Sequence, residues 1–129
     1  MKKRFYIIIF LSLILISRLW GQQYSFQAPK IIQWYEASNY YGEYVTVVGT
    51  IVSTYNSGRA CFLNFHPDYK HYLTAVIFRS AFNRFPKNPE IYYYGKNVKI
   101  TGVIKEYRGK PEIIVNYPQQ IEIIEEQEE

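Results

Sequence analysis

Hydrophobic and polar positions divide the chain into an apolar start, a short stretch at helical spacing, and a long series of strand-like runs. Lys2, Lys3 and Arg4 precede an apolar run from Phe5 to Ile16 that only Ser12 interrupts. A basic start before a run shorter than the ~20 residues of a membrane-spanning helix is the pattern of a secretory signal. Residues 1–21 are therefore expected to form a signal peptide, cleaved near Gly21 or retained as an anchor. Residues 22–35 read as a linker and the start of a helix, because Ile31, Trp34, Tyr35 and Ser38 recur at helical spacing between Lys30 and Asn39.

Strand signals follow. Tyr44 to Tyr55 is a long β-branched run, and Asn56, Ser57 and Gly58 form a turn cluster. Ala60 to Phe65 and Leu73 to Phe78 are short apolar strands, separated by a loop that opens with His66, Pro67 and Asp68. Arg79 to Phe85 suits a brief helix, and Lys87 to Pro89 a loop. Asn97 to Tyr107 predicts a second long strand, with Arg108 and Gly109 as a tight hairpin into Lys110 to Val115. Pro118 to Ile124 suits a short edge strand or helical turn, and the glutamates after it a disordered tail at 125–129.

Residues 41–51 and 94–104 share the pattern Tyr-Gly-x-x-Val-x-(Val/Ile)-x-Gly-x-Ile without a gap. In each copy the first glycine, Gly42 or Gly95, suits a turn into the strand. The second, Gly49 or Gly102, falls mid-strand, where glycine is tolerated if the strand bends or bulges. Small barrels need such bends. The element order predicts an all-β domain over 36–124. It would be a five-stranded OB-fold Greek-key barrel with a short helix between strands three and four and a short N-terminal helix. An SH3-like barrel and an open sandwich are the competing arrangements, and the helix after the third strand favours the OB type.

Charge changes little in the fold but much in the choice of partner. Four of the 15 basic residues (Lys2, Lys3, Arg4 and Arg18) lie before Gln22, which leaves 11 basic against 11 acidic residues after the signal. Five of those acids crowd the C-terminus from Glu122 on, so a mildly basic body carries an acidic tail. Such a body attracts a polyanion without the charge density of a dedicated phosphate-coating protein. Cys61 is the single cysteine, so no intramolecular disulfide exists and the residue reads as a small buried strand position.

The stretches Gly-x-x-Val-Thr-Val-x-Gly-Thr-Ile-Val (42–52), Phe-Leu-Asn-Phe (62–65), Thr-Ala-Val-Ile-Phe (74–78) and the segment 95–113, with Gln120 and Ile121, carry a resemblance. Over residues 36–124 the chain resembles a family of bacterial OB-fold domains found as small exported proteins or appended to secreted nucleases and DNA-uptake-type proteins. The resemblance implies an OB fold and, by association, nucleic-acid binding; it implies no catalytic residue and no cofactor.

The residues themselves point to a binding face. OB barrels place ligands across the second and third strands, between the first–second and fourth–fifth loops. Candidate nucleic-acid contacts are Tyr55 and Arg59 around the first of these loops, and Tyr107, Arg108 and Lys110 at the second. Tyr69, Lys70 and Tyr72 join them from the loop before the third strand, and Lys99 and Lys105 from one face of the fourth. Aromatic rings beside cations hold single-stranded nucleic acid by stacking and charge. The partner is expected to be single-stranded nucleic acid, or else a protein or glycan of the cell envelope. Enzyme chemistry lacks a motif: there is no phosphate-binding glycine loop and no nucleophile elbow, and Cys61 has no neighbouring histidine. His66, Asp68 and His71 share a loop without the paired spacing of zinc sites, so no metal is expected.

Overall fold

The computed structural model describes residues 25–126; the signal peptide expected at 1–21 and the last residues of the acidic tail lie outside them. Within that span the protein is mostly β, with eight strands in one mixed sheet and a few short helical turns. The strands are β1 (Lys30–Gln33), β2 (Tyr44–Thr50), β3 (Ser53–Asn56), β4 (Ala60–Asn64), β5 (Thr74–Phe78), β6 (Asn97–Tyr107), β7 (Lys110–Ile114) and β8 (Ile121–Ile123). They are hydrogen-bonded in the order β1-β2-β6-β7-β5-β4-β3, with β8 also on β6. This path is open, with β1 and β3 at its ends, so it is neither five strands nor a closed ring.

Three local causes raise the strand count. The expected N-terminal helix is a strand over its first half: Lys30–Gln33 pairs parallel to β2 and buries Ile32, leaving Ile31 exposed. Pairing with a sheet edge satisfies that backbone, and only Trp34–Asn39 coils, as a 3-10 helix. The long first strand breaks at Ile51 and Val52. Ile51 N–H donates to Lys96 O, towards β6, whereas Val52 N–H donates to Asn64 O, towards β4. The segment after Pro118 supplies a 3-10 turn and then β8. Arg79–Arg84 is a 3-10 helix between β5 and β6, and Pro89–Tyr92 adds a single α turn that begins at the end of the loop expected over Lys87 to Pro89.

The two copies of the repeated pattern are partners. β2 and β6 pair antiparallel so that Val45 faces Gly102, Gly49 faces Val98, and Val47 faces Ile100 at the centre. The closing bonds obey the same local two-fold relation. Gly42 and Gly95 each donate 2.8 Å bonds to Ile104 O and Ile51 O, while Ile104 and Ile51 each donate 3.0 Å bonds to Glu43 O and Lys96 O. Gly42 and Gly95 have φ of +80° and +75°, which explains glycine at both turns.

Gly49 and Gly102 differ from expectation, because the register runs through both without a bulge. Their role is room. A Cβ on Gly49 would lie 2.5 Å from Phe65 Cδ1 and 2.7 Å from Trp34 Cδ1, and one on Gly102 would lie 3.1 Å from Ile113 Cδ1. Beneath the sheet, Val47, Ile51, Leu63, Ile77, Ile100 and Ile113 are fully buried and form the centre of one core.

Candidate nucleic-acid interface

Alternation along β3, β4, β5 and β7 sends one set of side chains into the core and the other into a groove. Thr54, Leu63, Ala75, Ile113 and Ile104 stand in one cross-strand row on the inner face. The neighbouring row, Ser53, Asn64, Thr74, Glu112 and Lys105, faces out and is polar at every position. Two residues further along each strand, Tyr55, Phe62, Val76 and Ile114 form a parallel row that is apolar and aromatic. The Tyr55 and Phe62 rings stack with centroids 6.3 Å apart and planes 15° from parallel.

Apart from Lys105 and Ile114 at their ends, these last two rows floor a groove of about 1090 Å³, walled by the loop before β5 and by the β6–β7 hairpin. Arg108 and Gly109 form the hairpin tip with φ of +51° and +77°, the two left-handed positions of a tight β-hairpin turn. The turn lays the Arg108 guanidinium 5.3 Å from the Tyr107 ring centroid.

The polar row is wired in one direction. Lys110 Nζ donates to Thr74 Oγ1 at 2.6 Å and to Tyr72 O at 3.4 Å; Thr74 donates to Asn64 Oδ1 at 2.8 Å; Asn64 Nδ2 donates to Ser53 Oγ at 3.1 Å. Burial pulls the Lys110 ammonium below the ordinary lysine range, with Glu112 opposing. Burial likewise pushes the Glu112 carboxyl above the usual carboxylate range, against the pull of Lys110 and Lys105. Both shifts report charges partly withdrawn from water at the groove floor.

Of the ten residues selected from sequence, Tyr55, Tyr69, Lys70, Tyr107, Arg108 and Lys110 line this groove. The other four stand elsewhere. Tyr72 packs on His66 and Trp34, at 4.2 Å and 5.7 Å between ring centroids. Arg59 sits in the β3–β4 turn, where its carbonyl accepts from Arg79 N–H at 2.9 Å. Lys99 lies across from Val48 and Glu122, on the part of the sheet that β8 joins. Lys105 lies across from Glu112 at the end of the polar row.

Sequence reading missed Ser53, Phe62, Asn64, Thr74, Val76 and Glu112, all of which line the groove. The signal was present as period-two alternation: in 62–65 Phe62 and Asn64 face one way, Leu63 and Phe65 the other. Treating β4 and β5 as wholly apolar hid it.

His71 Nδ1 lies 2.7 Å from Asp68 Oδ2, and His66 Nδ1 accepts from the Asp68 amide at 2.9 Å, so this loop's polar groups hold one another. Burial pushes the Cys61 thiol up to about 12, with Glu90 adding to it, which leaves it un-ionised at neutral pH.

No protein-family model and no curated protein sequence matches this chain. Solved structures do. A protein assigned as an aspartyl-tRNA synthetase in Leishmania major Friedlin matches with a TM-score of 0.52 at 14% identity, over 80% of this chain and 22% of that one. The aspartyl-tRNA synthetase of Entamoeba histolytica matches with a TM-score of 0.52 at 16% identity, over 80% and 23%. This chain therefore spans less than a quarter of either synthetase, and at such identities the likeness is one of fold.

Proposed function

We propose that this protein is an exported, non-enzymatic OB-type module that binds single-stranded or unpaired nucleic acid in the groove over β3, β4, β5 and β7. The observation that carries this reading is the parallel placement of two rows. Stacked Tyr55 and Phe62 lie beside a polar row, and Lys70, Arg108 and Lys110 line the same groove. Aromatic plates take bases of any sequence, and nearby cations take the phosphates between them.

The OB-type reading draws on the bend at Ile51–Val52. Counted through that bend, residues 44–56 border both β6 and β4, as the first strand of a small coiled barrel must. Fold likeness to two aspartyl-tRNA synthetases, enzymes named for a nucleic-acid substrate, adds support by analogy. Export rests on the basic and apolar pattern of residues 1–21.

The balance of 11 basic and 11 acidic residues after the signal favours one other occupant, an envelope protein or glycan lying on the same rings. Salt separates the two. Fluorescence anisotropy of a labelled oligothymidylate with the full chain, titrated in salt, is expected to show binding that weakens with a log–log slope of about −2 if three cations meet phosphate. Phe62→Ala should cost about 1–3 kcal/mol of that binding. No binding at low salt, or binding indifferent to salt, would overturn the nucleic-acid reading.

A further inference from the structure

Glu112 is the feature of the groove that stacking and phosphate attraction leave unexplained. A carboxylate in a phosphate-binding cleft repels the ligand's backbone, yet this one belongs to the polar row of the floor. It is 7% exposed, lies between Thr74 and Lys105 in the cross-strand row, and lines the groove.

Its neighbours are engaged elsewhere. Lys110 Nζ is directed to Thr74 Oγ1 and Tyr72 O, and the Thr74 hydroxyl hydrogen goes to Asn64. Among the described residues no side chain or backbone amide donates a hydrogen bond to the Glu112 carboxylate, and none forms an ion pair with it. No sealed polar atom among those residues lacks a partner, so the carboxylate keeps its opening to the groove. A carboxylate this deep is costly unless a ligand supplies donors.

Two acceptor oxygens side by side match two parallel N–H donors. Among the common bases, guanine alone carries such a pair on its Watson–Crick edge, the ring N1–H and the exocyclic amino group. Cytosine and adenine offer one amino group beside a ring acceptor, which the second oxygen repels. Thymine and uracil offer one imino hydrogen flanked by two carbonyls. Val76 ends the groove's apolar row on β5 and stands diagonally across the β5–β7 pair from Glu112, so a base lying on that end of the row turns an edge towards Glu112.

Building on the nucleic-acid reading of this groove, we infer that Glu112 accepts the Watson–Crick edge of one unpaired guanine, which makes the module guanine-preferring rather than sequence-blind. The test uses the full chain and four nonamers, each an oligothymidylate whose central position is thymine, guanine, cytosine or inosine. Single guanines avoid four-stranded guanine assemblies.

The guanine nonamer should bind about 5- to 150-fold more tightly than the all-thymine one, the range expected of a good bidentate contact. Inosine, which lacks only the amino group, should lose most of that gain. In Glu112→Gln the guanine advantage should vanish while the all-thymine nonamer binds at least as well, since a negative charge is gone. Equal affinity for all four nonamers would overturn the guanine assignment and leave nucleic-acid binding standing. Binding of none at low salt would overturn both. The inosine arm needs no protein variant, so it decides the question even if Glu112→Gln folds poorly.

Discussion

Adding one methyl group at Gly49 should destabilise the protein more than adding the same group at its two-fold mate, Gly102. An alanine Cβ at 49 would meet Phe65 Cδ1 at 2.5 Å and Trp34 Cδ1 at 2.7 Å. Carbon atoms rest at ~3.5–4.0 Å, so both rings must retreat by about 1 Å. Phe65 is 2% exposed and embedded in the core, so it has little space to take. Overpacking of this kind costs about 1–3 kcal/mol, and the reduced backbone entropy of the unfolded alanine chain returns about 0.4–1 kcal/mol. A net loss of about 1–2 kcal/mol follows.

At 102 the contacts begin at 3.1 Å, against the ends of Ile113 and Gln120, and a shift of a few tenths of an ångström suffices. There the two terms cancel to within about 1 kcal/mol. Urea unfolding followed by circular dichroism reads both variants. Gly49→Ala should lower the midpoint at unchanged slope, with melting down by about 4–16 °C. If Gly49→Ala is as stable as the parent, or Gly102→Ala is the worse of the two, the room argument fails and chain bending is the better account of these glycines.

Glu112 gives a prediction with a definite sign. Burial raises its folded-state pKa above the ordinary 4.5, so the folded protein binds that proton more tightly than the unfolded chain. The stability tied to the proton is lost as pH climbs from about 4.5 through the raised value. Glu112→Gln should therefore gain stability relative to the parent between pH 4 and pH 7, measured as denaturation midpoints; a parent that gains instead contradicts the burial account. Cys61, its thiol pushed up to about 12, should resist alkylation at pH 8 in the folded protein and react at once in denaturant. Ready labelling of the native state would mean that β4 opens locally. Arg108 holds φ of +51°, a region that costs most non-glycine residues about 1–2 kcal/mol. Arg108→Asn should stabilise the hairpin and weaken oligonucleotide binding together, and loss of stability would show that the arginine is structural.

What could be read from the residues followed the physics of each segment. The β6–β7 turn was legible to the residue, because Arg108-Gly109 fits one turn type between two alternating runs. The partnership of 41–51 and 94–104 was half legible: the likeness was visible, but nothing local reveals that the copies pair with each other. Lys30–Gln33 was misread because its strand character comes wholly from the free edge of β2. At the groove, charged and aromatic tips and Tyr55 were found, and the rest of the floor was missed. Asn64, Thr74 and Glu112 make sense only as one row, and a row across strands from distant parts of the chain is a tertiary object.

The local two-fold relation between β2 and β6 also bears on folding. Because valine meets glycine in both directions, the segment 41–51 would fit a second copy of itself as it fits 94–104, with Val45 over Gly49 and Val47 over Val47. The pairing partner in the same chain lies more than forty residues away, so loop closure sets its effective concentration. When chains refold at high concentration, like strands from two molecules compete for that place, and exchanged dimers are the expected by-product. Thr46 opposes Thr101, their hydroxyl oxygens 2.8 Å apart, and Val48 opposes Lys99 only in the native pairing, so the non-identical positions of the repeat select self from neighbour.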